Sequence, residues 1–129
     1  MLFEDCGCPY YSFPIQANWT LIGESGQRYA AQVPGSVLTT LIQQKEIVHP
    51  FWRCEEKSQP LKQALMQDWT YTCAFLPPAE LQGCQDEIWL CFDGIDTLAE
   101  IWLNDQKLGV ADNMHRHWRF PVSKLLYLE

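Results

Sequence analysis

The stretch LAEIWLNDQKLGV, residues 98–110, carries the clearest fold signal of the sequence. Apolar side chains recur at every second position from Ala99 to Leu103, and successive side chains of a strand point to opposite faces. Asn104-Asp105 follows, and both residue types tolerate the backbone of a tight turn. Lys107 to Val110 can then return beside the first segment. The stretch predicts a β-hairpin with one buried face.

Short strand signals of the same kind lie on both sides of this hairpin. Trp19 to Ile22 and Tyr29 to Val33 are apolar runs separated by turn residues. Asp68 to Phe75 alternates with period two, and Glu87 to Phe92 is apolar on both faces, as expected of a central strand. Alternation resumes at Trp118. Many short strands joined by tight turns predict an all-β sandwich.

Helical signals are fewer. Ser36 is expected to cap one short helix whose apolar face begins at Val37. The polar segment from His49 to Gln67 is predicted to be a long surface loop with room for a helical turn around Leu61 to Met66. Three aromatic residues of the strand segments are predicted to be core residues: Trp69, Trp89 and Phe120.

The composition and net charge of the chain exclude several classes of function. The 129 residues are 47% hydrophobic and 19% charged, which suits one folded domain, and we divide them into an irregular arm (1–17) and a sandwich domain (18–129). The net charge of −7 would repel a phosphate backbone, so no nucleic-acid partner is expected. Apolar runs are far shorter than the roughly 20 residues of a membrane span. Met1 to Asp5 is acidic and precedes no apolar signal region, which predicts a cytoplasmic protein.

The six cysteines do not form a recognisable metal motif. Cys6-Gly7-Cys8 is tighter than the usual zinc-knuckle spacing, and a site that adds His49 and Cys54 is a minor alternative. Cys73 and Cys91 lie in strand-like runs where a small buried thiol packs well. We therefore predict reduced cysteines, no metal site and no cofactor.

Eight motifs, taken together, carry a family resemblance. Their order and spacing resemble the N-terminal sugar-binding domain of glycoside hydrolase family 2, in its β-mannosidase branch, from about Asn18 to Leu126. The motifs are Trp19, Val33-Pro34-Gly35-Ser36-Val37, His49-Pro50-Phe51-Trp52-Arg53, Asp68-Trp69-Thr70-Tyr71, Phe92-Asp93-Gly94-Ile95-Asp96-Thr97, Ala99-Glu100-Ile101-Trp102-Leu103-Asn104, Leu108-Gly109 and Asp112-Asn113-Met114-His115-Arg116.

The resemblance implies a jelly-roll, galactose-binding-like sandwich that packs against a catalytic TIM-barrel domain of a longer parent chain. In this family two barrel glutamates, roughly 5 Å apart, carry retaining hydrolysis of β-mannoside glycans. No catalytic residue is therefore expected in this chain, although its parent would be an enzyme. The adjacent pairs Glu55-Glu56 and Asp86-Glu87 are better explained as solvated side chains than as a catalytic dyad.

Family members continue past the segment Val122 to Leu126 with further strands and a Trp-Asp-Trp-Gly-Pro motif. This sequence ends at Glu129. We therefore expect a sandwich that lacks its last strands. Strand edges left unpaired in this way would favour self-association.

The resemblance also singles out candidate site residues. We hypothesise that Asp112, Asn113 and Arg116, with Trp52 and Arg53 of the long loop, face the barrel and shape the mouth of the substrate pocket. The alternative is a capped turn, in which Asp112 and Asn113 bond backbone amides and Arg116 pairs with a surface carboxylate. The sequence leaves two further functions open, namely a free-standing carbohydrate-binding module and a purely structural interaction domain.

Overall fold

A computed structural model describes residues 11–51, 59–82 and 86–126. The chain forms two compact units, Met1–Leu76 and Pro77–Glu129. Within the described ranges no helix is long and apolar enough to cross a membrane. The elements, in chain order, are β1 (Trp19–Gly23), β2 (Arg28–Ala31), α1 (Val37–Gln43), α2 (Gln59–Leu65), β3 (Trp69–Thr72), a 3-10 turn (Ala79–Leu81), β4 (Trp89–Phe92), β5 (Ala99–Leu103), β6 (Gln106–Ala111) and β7 (Trp118–Pro121).

The first unit contains a three-stranded antiparallel sheet with the order β2-β1-β3. Leu21 of β1 pairs with Tyr29 on one side and Tyr71 on the other, and its side chain is completely buried. The β1–β2 turn closes through the N–H of Gly26, which donates to the carbonyl of Gly23 at 2.9 Å. Gly26 adopts a φ of 86°, a conformation that glycine tolerates without steric cost.

Helix α1 begins where the sequence predicts. The hydroxyl oxygen of Ser36 accepts a hydrogen bond from the backbone N–H of Thr39 at 3.1 Å, and the hydroxyl of Thr40 donates to the carbonyl of Ser36. Leu41 of this helix packs with Ile47 and with buried residues of α2. The predicted cap is confirmed, and its helix contributes to the core of the first unit.

The removal of this cap is expected to destabilise the protein. Ser36→Ala leaves a helix N–H without its side-chain acceptor and should cost about 1 kcal/mol of unfolding free energy. Ser25→Ala, at an exposed position of the β1–β2 turn, is the matched control. Urea denaturation measures both variants. Equal midpoints would show that the cap does not contribute.

The second helix differs from the sequence prediction of one short helix and a helical turn. Helix α2 has seven residues, as many as α1, and buries Leu61 and Ala64 at helical spacing. The indole N–H of Trp69 donates to the carbonyl of Ala64 at 2.8 Å, which fixes β3 beside α2. Trp69 is half-buried and packs against the same core cluster, in agreement with its predicted core role.

In the second unit β5 and β6 form the predicted antiparallel hairpin. Asn104 and Asp105 occupy its turn with φ values of 48° and 62°, as a two-residue hairpin turn requires. Strand β4 pairs with β7 in a separate two-stranded sheet. Ile101, Ala111 and Phe120 form the buried cluster of this unit.

Phe120 lies at the centre of this cluster. Its ring meets that of Phe92 edge to face, with centroids 6.3 Å apart and planes 76° apart. A Cβ at Gly109 would lie 2.6 Å from the Cε1 atom of Phe120, closer than atoms can approach. Glycine at this position therefore lets the ring pack directly on the backbone of β6.

The prediction that Trp89 is a core residue is wrong. This side chain is 46% exposed, because Leu90 and Phe92 turn toward the buried cluster while Trp89 lies on the alternate face of β4. Within residues 86–126 β4 pairs only with β7, so the expected central strand has one unpaired edge in the described structure. The proposed self-association through such edges and the boundary between residues 17 and 18 stay predictions.

Candidate functional site

The loop between β6 and β7 carries three of the five candidate residues: Asp112, Asn113 and Arg116. It starts directly after Ala111, the last residue of β6, and leads into Trp118, the first residue of β7. Both strands belong to the second unit, so the loop is anchored at each end. The other two candidates, Trp52 and Arg53, lie outside the described residues.

Asn113 holds the loop in a defined shape. Its side-chain oxygen accepts a hydrogen bond from the backbone N–H of His115 at 2.8 Å, the pattern of an Asx turn. Its backbone carbonyl accepts a second bond, 3.2 Å long, from the indole N–H of Trp118. The capped-turn interpretation is therefore confirmed for Asn113, whose role in the described structure is to shape the loop.

Arg116 differs from the capped-turn interpretation. Its Cζ atom lies 4.4 Å from the centroid of the Trp118 ring, so the guanidinium stacks on the indole. Within the part of the chain that the structure describes, the expected ion pair with a surface carboxylate is not formed. A guanidinium that lies against a ring still has N–H donors at its edge, and those can bind a carboxylate or a carbonyl.

The capped-turn interpretation also does not describe Asp112. Among residues 11–51, 59–82 and 86–126, its exposed carboxylate accepts no hydrogen bond, and the backbone amide of His115 bonds to Asn113 instead. Met114 beside it is 46% exposed. The loop therefore carries a hydrogen-bond acceptor, the Asp112 carboxylate, before the Asn113 turn, and the N–H donors of the Arg116 guanidinium after it.

A second contact connects the end of this loop with the end of β4. Nδ1 of His117 lies 3.8 Å from a carboxylate oxygen of Asp93, an ion pair when the imidazole is protonated. Gly94 follows Asp93, and a Cβ there would lie 3.6 Å from the carbonyl of Met114. The loop thus packs beside the turn after β4, which restricts the positions that it can take.

The adjacent carboxylates Asp86 and Glu87 lie at the surface, as expected of solvated side chains. Glu100 is bound to Lys107. Glu55 and Glu56 lie outside the described residues. In the described ranges no group of three or more His, Cys, Asp or Glu side chains is placed to hold a metal ion.

The two described cysteines are free thiols. Cys73 is half-buried, whereas Cys91 is exposed, contrary to the expectation of a buried thiol at both positions. Desolvation raises the pKa of both thiols, and at Cys91 the nearby Arg119 opposes part of that rise. Both are therefore poor nucleophiles at neutral pH.

Comparison with known proteins places this arrangement in a family. The model of the glycosyl hydrolase 2 galactose-binding domain-like family matches residues 19–129. The chain belongs to that family. Its members share the galactose-binding-like β-sandwich, and the strands and short helices of the two units are consistent with that fold. The predicted fold class and family resemblance are confirmed.

Relatives of this galactose-binding-like domain include β-mannosidases. The chain is 31% identical to the β-mannosidase of Rattus norvegicus over 116 residues, which cover 89% of the chain and 13% of that protein. It is 27% identical to the goat (Capra hircus) enzyme, over 98% of the chain and 15% of the relative. It is 31% identical to β-mannosidase A of Aspergillus aculeatus, over 84% of the chain and 11% of that protein. The chain thus spans about one seventh or less of these relatives and corresponds to one domain of β-mannosidase-like proteins.

Sequence reasoning missed one cluster on the surface of the second unit. On the β5–β6 hairpin, Lys107 forms an ion pair with Glu100, and its Nζ lies 5.9 Å from the centroid of the Trp102 ring. The alternation of β5 indicated that Glu100, next to the buried Ile101, points outward, but the register shift between Ile101 and Trp102, which pairs Trp102 with Lys107, is not visible in the sequence.

Proposed function

We propose that this chain is the non-catalytic N-terminal domain of a β-mannosidase-like retaining glycoside hydrolase. The observation that carries the proposal is the match of residues 19–129 to the galactose-binding-like family, together with the β-mannosidase relatives that cover most of the chain. The small share of each relative that is matched supports a larger parent protein with its own catalytic domain. The parent's substrates are proposed to be β-mannoside glycans.

The role proposed for the β6–β7 loop is to support the wall of the substrate pocket. Trp118 and Asn113 hold the loop in one shape, which lowers the entropy lost when a second surface binds it. Arg116 offers a donor fork and Asp112 an acceptor, so both can bond complementary groups of a catalytic domain. Trp52 and Arg53 are proposed to contribute to the same wall.

This role predicts a loss of activity without a large loss of stability. In the parent hydrolase, Arg116→Ala should lower kcat/KM by about 10- to 100-fold, because small displacements of a pocket wall misplace the substrate. In residues 1–129 alone, the same change removes an exposed cation–π contact that is worth only about 0.5 to 1 kcal/mol. Steady-state hydrolysis of an aryl β-mannoside and urea denaturation measure the two effects.

Two variants sharpen this test. Arg116→Lys keeps the charge but loses the planar fork, so its activity should fall nearly as far as that of the alanine variant. Arg28→Ala changes an exposed arginine of β2 and should leave activity unchanged. If Arg116→Ala destabilises residues 1–129 by several kcal/mol and leaves the parent active, the loop is structural and the proposed role is wrong.

A further inference from the structure

A turn in the segment after helix α1 is closed by the side chain of a histidine. The backbone N–H of Phe51 donates a hydrogen bond, 3.3 Å long, to Nδ1 of His49. The two residues have the spacing of an Asx turn, in which a side chain serves as the acceptor for a backbone N–H two positions later. Pro50 lies between them and has no N–H of its own. The turn therefore depends on one acceptor, the lone pair of an imidazole nitrogen.

The β6–β7 loop contains a turn of the same kind with a different acceptor. There the backbone N–H of His115 donates to the side-chain oxygen of Asn113 at 2.8 Å. An amide oxygen accepts a hydrogen bond at every pH, whereas an imidazole nitrogen accepts one only in the neutral ring. The two turns share the spacing of donor and acceptor, but only the His49 turn depends on a proton.

Few other contacts hold the His49 turn. The rings of His49 and Phe51 lie 5.5 Å apart and are tilted by 43°, and Phe51 is 84% exposed. The nearest charged residues before the turn are Lys45 and Glu46, and in the part of the chain that the structure describes no side chain forms an ion pair with His49. Burial raises the pKa of the Tyr29 hydroxyl, and the charge of Glu46 adds to that rise, so Glu46 acts on Tyr29. A ring contact orients side chains but does not satisfy the backbone amide, which leaves the hydrogen bond to close the turn.

Protonation of His49 removes the acceptor of this turn. A proton from solvent binds the Nδ1 lone pair, and both ring nitrogens of the resulting imidazolium are donors. The N–H of Nδ1 and the N–H of Phe51 would then face each other across 3.3 Å, so the amide bonds water instead. An imidazole changes charge between about pH 5 and 8. The hydrogen bond is therefore present while the ring is neutral and is lost as the pH falls through that range.

We propose that His49, Pro50 and Phe51 form a pH-sensitive turn that is closed when the imidazole is neutral and open when it is protonated. Opening frees the backbone at Phe51 from its fixed direction, so acid changes how this exposed aromatic side chain is presented. The inference goes beyond the proposed function and does not rest on it, because the turn contains no residue of the β6–β7 loop.

Hydrogen exchange of the 15N-labelled 129-residue chain at pH 5 and at pH 8 tests the turn. The measured quantity is the protection of the Phe51 amide, the ratio of the exchange rate of an unbonded amide in the same sequence to the measured rate, which removes the intrinsic effect of pH on exchange. At pH 8 we expect protection of about 2- to 10-fold, as one net hydrogen bond provides. At pH 5 it should disappear. The His115 amide, bonded to Asn113, is the internal control and should keep its protection at both pH values.

Two variants of the exposed His49 complete the test. His49→Asn supplies an acceptor that does not titrate, so the Phe51 amide should stay protected at both pH values. His49→Ala supplies no acceptor, and the amide should be unprotected at both. The inference is overturned if the wild-type protection of Phe51 is equal at pH 5 and pH 8, or if His49→Ala keeps it. It is also overturned if His49→Asn or the His115 amide loses protection at pH 5, since the change would then not arise from the His49 imidazole.

Discussion

Phe120→Ala is expected to destabilise the protein severely. Phe120 is 9% exposed and packs with Ile101, Ala111 and Phe92 in the core of the second unit. Truncation of a buried phenylalanine removes its transfer free energy and leaves a cavity, at a cost of about 3 to 5 kcal/mol. Gly109 cannot fill that cavity, since it has no side chain.

Trp89→Ala is the matched control for this prediction. Trp89 lies on β4, the strand that pairs with β7, and its register partner is Pro121, next to Phe120. Because Trp89 is 46% exposed, its truncation should cost markedly less than that of Phe120. Chemical denaturation of both variants gives the comparison. Equal losses would mean that the core is not centred on Phe120.

The second large effect concerns catalysis. Residues 1–129 alone are expected to hydrolyse no aryl β-mannoside above background. Retaining hydrolysis needs an acid and a nucleophile whose carboxyl groups are about 5 to 5.5 Å apart, and the loss of either removes most of the rate. Among the described carboxylates, Glu100 is held by Lys107, and Asp86 and Glu87 are exposed neighbours in sequence.

The measurement is an end-point assay with a fluorogenic β-mannoside at high protein concentration. A preparation of Phe120→Ala, purified in the same way, controls for contaminating hydrolases, since a contaminant would persist when the domain is unfolded. Turnover that stays with the wild-type chain through purification and disappears in that variant would contradict the prediction.

The sequence predicted those parts of the fold in which local chemistry and pattern agree. Ser36 has the side chain of an N-cap, and Asn104-Asp105 has the residues of a tight hairpin turn, so both were correctly placed. The alternation in β5 likewise identified Ile101 as a core residue. These features depend on neighbours within a few positions of the chain.

The errors arose where burial depends on distant partners. Glu87 to Phe92 is apolar on both faces, but a pattern cannot show whether a second layer covers the second face, and Trp89 is largely accessible. The seven-residue helix α2 was underestimated because Pro60 and polar neighbours weaken its local signal. Its burial comes from Leu61 and Ala64 packing on α1, a tertiary contact.

The candidate site was predictable in position but not in detail. The motif located Asp112, Asn113 and Arg116 in one loop, and the Asx turn of Asn113 follows from its side chain. The stacking of Arg116 on Trp118 requires the register of β7, which the sequence does not show. The pocket-wall role of these residues and of Trp52 and Arg53, like the cytoplasmic location, stays a prediction.

The size and activity of the natural polypeptide that contains this domain distinguish part of a hydrolase from a free-standing protein. An antibody raised against residues 19–126 would capture that polypeptide from its source cells for mass determination and for an aryl β-mannoside assay. We expect a polypeptide several times larger than 15.0 kDa that cleaves the substrate. A captured polypeptide of about 15 kDa without activity would contradict the proposed function.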